Sequence, residues 1–169
     1  EGRGITLDGS GNTYITGYFR GTAAFNPGVD TANLTAVGLG NDIFFAKYDL
    51  NGNYLWAKRI GGVQPDYANS FIDDLSNLFI TGTFGATTDF DPGAGTYNLV
   101  NSAGFYDLFV CKWDVSANML WAKSVGNAGE EYPGGLFGGS KSLSTDNCGS
   151  VYVAGGMYSS NVDFDPGAG

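Results

Sequence analysis

The chain has 169 residues, among them 28 glycines, two cysteines and no histidine, with aromatics at 15% and a formal charge of −9. Abundant glycine and aromatics with few Glu and Lys make a β-rich composition with many turns. The eight basic residues form no cluster, which argues against nucleic acid and against an anionic membrane surface as partners. No apolar run is long enough to insert into a bilayer, and the lack of histidine excludes histidine-based triads.

In chain order, a short strand over residues 5–8 ends at Asp8, and Gly9-Ser10-Gly11-Asn12 supplies hairpin chemistry. A second strand covers 14–19. Its apolar residues occupy both alternating sets, so neither face of the sheet is left to water. Gly17 sits mid-strand, which predicts that a side chain or backbone of the next layer needs the room. The Phe25-Asn26-Pro27-Gly28 turn and a polar stretch to Thr35 lead to a third strand over 43–48. The tight turn Asp49 to Asn53 then joins it to a fourth strand over 54–58.

The pattern then returns. Gly17 to Gly82, Pro27 to Pro92 and Trp56 to Trp121 are each separated by 65 positions, and a third copy runs from Ser150 to Gly167. Strands are expected again at 71–73, 79–84, 108–113 and 119–123, then at 143–146 and 152–155. Trp56 to Asp73 spans 17 residues whereas Trp121 to Asp146 spans 25, which places an insertion around Glu130, Glu131, Tyr132 and Pro133. The expected units are 4–61, 68–126 and a partial third at 140–169, all parts of one domain. Four antiparallel strands per unit, buried on both faces and arranged in series, describe all-β propeller blades packed face to face. About two and a half such units would leave the propeller incomplete. The chain then reads as a piece of a longer protein, its ends needing further blades or another chain to cover them.

Four motifs carry a family resemblance: D-x-x-G-N-x-Y-x-T-G-x-F at Asp8 to Phe19, D-x-F-x-x-K-x-D at Asp42 to Asp49, G-N-x-L-W-A-K at Gly52 to Lys58 and D-F-D-P-G at Asp89 to Gly93. Together they resemble the SBBP-type β-propeller repeat of bacterial secreted and cell-surface proteins, those of Bacteroidetes included. Departures fall at Ala24 and Asn26, at Leu75-Ser76 and at Asn147-Cys148. The resemblance implies a propeller fold and a secreted or cell-surface location. It implies no catalytic or ligand motif, because none defines that family.

Asp89 with Asp91 and Asp163 with Asp165 each put two carboxylates on one side of an extended segment before a Pro-Gly turn. Closely spaced carboxylates suit a weak calcium site; the alternative is that they accept turn amides and end the strand. Asp8, Ser10 and Asn12, like Asp49, Asn51 and Asn53, imitate the start of a calcium loop but lack its closing Glu, so they read as hairpin turns. Glu130 and Glu131 read as a solvated loop, since adjacent residues on an extended chain point apart and do not flank one bond. Lys47 and Lys112 are expected to pair with a neighbouring Asp, and Trp56, Trp113 and Trp121 to lie in the core. Cys111 reads as a buried thiol and Cys148 as an exposed one.

No catalytic residue or cofactor beyond calcium is assigned. The reading is a non-enzymatic structural or adhesive interaction module. Its alternatives are a propeller binding a glycan or peptide on the face of its long connectors, where a protein or glycan partner would dock, or the propeller part of a hydrolase whose catalytic residues lie outside this segment.

Overall fold

The computed structural model describes residues 1–26, 32–74, 77–101, 106–126, 131–133, 142–146 and 148–157. The chain forms β1 (Gly2–Leu7), β2 (Thr13–Arg20), β3 (Thr22–Ala24), β4 (Asn33–Thr35), β5 (Asn41–Tyr48), β6 (Tyr54–Gly62), β7 (Asp66–Asp74) and β8 (Asn77–Phe84). It continues through β9 (Thr87–Asp89), β10 (Asn98–Val100), β11 (Asp107–Asp114), β12 (Met119–Val125), β13 (Glu131–Pro133), β14 (Leu143–Thr145), β15 (Val151–Val153) and β16 (Gly155–Met157). Strand period and Asp/Asn/Gly turns thus produce most strands where the sequence expects them; the strand expected over 152–155 is instead divided between β15 and β16, and Glu131, expected in a loop, lies in β13.

The strand order β1-β2-β5-β6 of the first unit recurs as β7-β8-β11-β12 in the second. The register is equally repetitive, with Gly17 opposite Phe44 and Gly82 opposite Phe109. The expected propeller does not follow from that repetition. Strand β6 is not an outer edge: its last residues pair onward with β9, Gly61 with Asp89 and Gly62 with Thr88. The first sheet is therefore six-stranded, in the order β1-β2-β5-β6-β9-β10, beside one four-stranded and three two-stranded sheets. All of them are open, with free edges and no closing pair, so the described residues are an all-β domain of open sheets and not propeller blades. The expectation that further blades or another chain complete a ring loses its basis with the propeller. No face of the described residues marks a protein or glycan partner's interface.

The core lies between the two large sheets, because β7 packs across β1, β2 and β5. Tyr14, Ile43, Phe45 and Ile60 of the first sheet meet Leu78, Ile80, Phe109, Cys111 and Trp113 of the second. Phe45 stacks on Trp113 at 4.9 Å between ring centroids and touches Trp56 edge-on at 5.6 Å. The opposite face of the first sheet carries Phe19, Phe44 and Ala46, covered by Phe25 and, from the β3–β4 hairpin, Ala23 and Leu34. Apolar residues in both alternating sets of β2 and β5 are explained by these two layers.

The room above the mid-strand glycines is taken from within their own sheet. A β-carbon on Gly17 would overlap the carbonyl of Glu1 and lie 2.9 Å from Phe44 Cε1; on Gly82 it would overlap the carbonyl of Tyr67 and lie 2.8 Å from Phe109 Cε1. The first strand of each sheet bulges at this level, and the paired aromatic folds over the gap.

Candidate functional site

The tight turns share one end of the sheets and one chemistry. Asp8 Oδ1 accepts the amides of Ser10 and Asn12, both at 2.9 Å, while Oδ2 accepts Asn12 Nδ2 at 2.8 Å. Asp49 holds Asn51 and Asn53 in the same way, and Asp114 holds Ser116 and Asn118. Asp146 holds the amides of Cys148 and Ser150. The fourth residue of each loop takes positive φ: 81° at Gly11, 82° at Gly52, 63° at Ala117 and 84° at Gly149. These are Asp-clamped turns, as the sequence predicts, with carboxyl oxygens already occupied.

Burial pushes the Asp8 carboxyl up, but the bonds from Asn12, Ser10 and Lys47 outweigh it and hold it down at about 2. Bonds led by the Asn53 side chain, the Asn118 side chain and the Ser150 amide lower Asp49, Asp114 and Asp146 in turn. Lys47 pairs with Asp8 at 3.3 Å and lies over the Tyr14 ring at 4.7 Å, so the expected Lys–Asp pair forms. Lys112 lies over Phe79 at 5.1 Å.

The other end of the sheets gathers buried acids that sequence reasoning did not single out. Asp42 is fully buried; its Oδ2 accepts Arg59 Nη1 at 2.7 Å and the Val37 amide at 2.9 Å, and its Oδ1 has no protein partner. Burial raises its pKa against those two donors. A β-carbon on Gly61 would overlap the Asp42 carboxyl, and one on Gly126 would overlap that of Asp107. Both pairs recur at the 65-residue spacing, which is the signal that could have found them. Asp66 is likewise fully buried, at the start of β7.

An open cleft of about 340 Å³ lies between β6 and the turn after β9, lined by Leu34, Lys58, Arg59 (the partner of Asp42), Asp89, Asp91 and Pro92. The Lys58 ammonium bonds to no other described residue. Arg59 commits one N–H to Asp42 and has no other side-chain bond among the described residues.

Asp89 and Asp91 are indeed close together, but as turn acceptors. Asp89 Oδ1 accepts the amides of Asp91 at 3.0 Å and Tyr97 at 2.9 Å; Asp91 Oδ1 accepts the Gly93 amide at 2.7 Å. Each carboxylate is engaged through one oxygen, and calcium, which takes roughly six to eight oxygens, would need backbone carbonyls and water beside them. No group of three acidic, Cys or His side chains suited to a metal occurs among the described residues. Asp163, Asp165 and Glu130 lie outside the described residues. Cys111 is buried and Cys148 exposed, both as free thiols.

No family model matches the chain. A protein of Acanthamoeba polyphaga mimivirus, described as an uncharacterized WD repeat-containing protein, is 25% identical over 181 aligned positions, covering 92% of this chain and 12% of that protein. This chain therefore matches only a small part of its relative's length. A distant similarity to a different kind of repeat gives no support to the SBBP resemblance or the bacterial affiliation drawn from it. The adhesive propeller module, and the glycan- or peptide-binding and hydrolase-associated propellers set beside it, all presuppose a closed ring that the open sheets do not form.

Proposed function

We propose that this chain is a non-catalytic β-sheet binding domain whose cleft takes a small molecule bearing both an anionic group and a hydroxyl or ammonium group. The observation that carries the reading is the Lys58 ammonium, unbonded to any described residue beside Arg59 and facing a cleft that also holds Asp89 and Asp91. A cation without a partner among the described residues favours an anion beside it, while the unengaged oxygens of Asp89 and Asp91 accept hydrogen bonds from the ligand's donors. A volume of about 340 Å³ is at the small end of ligand sites, which suits a free amino acid or hydroxy acid.

Calorimetric titration with these two ligand classes tests the reading. Lys58→Ala is expected to weaken binding about tenfold, the loss of one charge-assisted hydrogen bond. Absence of binding heat for both classes at millimolar concentration removes it. Non-enzymatic action and a location outside the cell belong to the same proposal; substrate turnover by the purified protein, or confinement of the tagged full-length protein to the cytoplasm, would count against them.

A further inference from the structure

Resting on the binding role of the cleft, we propose that Asp66 is a proton-operated latch that fixes β9, and with it Asp89, against the end of β6. Strand β9 meets β6 through only two register pairs, Gly61 with Asp89 and Gly62 with Thr88. Asp66 adds a side-chain clasp at the same place. One oxygen accepts the Gly62 amide at 2.8 Å; the other accepts the Thr88 hydroxyl at 2.8 Å and the Gly85 amide at 3.3 Å. A single carboxylate thus ties the end of β6, the turn after β8 and the middle of β9.

The clasp has two satisfied forms. With Asp66 ionised, the Thr88 hydroxyl donates to it. With Asp66 protonated, the new O–H donates to Thr88 Oγ, and the Thr88 hydroxyl turns to the Gly85 carbonyl, already 3.2 Å away. The exchange takes one proton from solvent and breaks no covalent bond. The ionised form holds β9 more firmly, because charge-assisted bonds are the stronger ones.

The surroundings set where the exchange occurs. Burial is the main cause that carries Asp66 up to about 7, with the Asp42 charge on β5 adding to it and the Gly62, Thr88 and Gly85 donors opposing it. Arg59 on β6 is engaged by Asp42, and β9 contributes Asp89 next to Thr88. On the β1–β2 side Glu1 and Arg3 bond to Tyr18, and Arg20 is exposed. Strands β8 and β14 hold no ionisable residue.

The test is an NMR titration of the free protein from pH 5 to 9, followed by calorimetry with the amino-acid and hydroxy-acid probes at pH 6 and pH 8. The amide signals of Gly62, Gly85 and Thr88 are expected to move with one common midpoint near neutrality. Asp66→Asn should abolish that common movement. Thr88→Val, which keeps the acid and removes one donor to its ionised form, should raise the midpoint by roughly one pH unit. Affinity in the cleft should be about fivefold higher at pH 8 than at pH 6 in the unaltered protein and equal at both in Asp66→Asn. Ligand heat without a common midpoint overturns the latch alone. A common midpoint without ligand heat overturns the cleft reading, and the latch's effect on binding goes with it.

Discussion

The carboxyl of Asp42 occupies the space that a β-carbon on Gly61 would need, and Asp107 stands over Gly126 in the same relation. A buried acid and a bare backbone are thus one feature, repeated. Gly61→Ala is expected to destabilise the fold by about 1–3 kcal/mol or more, as overpacking does, because Asp42 is held by Arg59 and Val37 and has little freedom to retreat. A urea midpoint unchanged from the parent protein would contradict this.

The Asp-clamped turns separate backbone strain from side-chain burial. Gly52 has a φ of 82° and open space where a β-carbon would stand, so Gly52→Ala should cost about 1 kcal/mol through the left-handed backbone alone. Ala117 already bears that strain at a φ of 63°. Its methyl, however, is buried in the core, and losing it forfeits about 0.8 kcal/mol. Ala117→Gly is therefore expected to change stability by less than about 0.5 kcal/mol, the two terms nearly cancelling. Thermal unfolding of both variants checks the contrast.

Asp8 gives the fold an acid-sensitive clamp. Its folded pKa of about 2 lies below the ordinary aspartate value, so its contribution is complete above about pH 4 and is lost as pH falls toward 2. The shift corresponds to about 2 kcal/mol for this largely buried side chain. Asp8→Asn should be less stable at pH 7 and show a flatter loss of stability between pH 4 and pH 2. Parallel stability curves for the two proteins across that range would refute the assignment.

The two thiols should react differently. Burial raises the Cys111 pKa well above the usual thiol range, and its Sγ lies 3.4 Å from the Ile80 carbonyl. Cys148 is exposed in the last clamped turn. A disulfide-exchange reagent should titrate one thiol rapidly in the native protein and two in denaturant. Two rapid equivalents under native conditions would place Cys111 outside the core.

The repeat was legible because it is written in residues that act locally. Asp8 and Asn12 close their own turn, and Tyr14, Ile15 and Phe19 alternate within one strand, so turn positions and strand limits follow from neighbours a few residues apart. That Lys47 finds an acidic partner, that Trp113 is buried and that the two cysteines differ were readable for a related reason, since each follows from strand period and register, whereas Trp56 and Trp121, also expected in the core, are only half-buried. The candidate cleft was not legible. Lys58 and Asp89 come from different repeats, and nothing local to either says that β9 docks beside β6.

By itself, the sequence determined an all-β chain of repeated strand–turn units, with apolar layers on both sides of its strands, because side-chain period and turn chemistry are short-range properties. Tertiary structure alone decided that those units join into open sheets, that β6 continues into β9, and that Asp42 and Asp66 are buried near the seam. The physical reason lies in Gly61 and Gly62: backbone edges pair without regard to side-chain identity, so which strand takes the free edge is settled only when the sheets pack together.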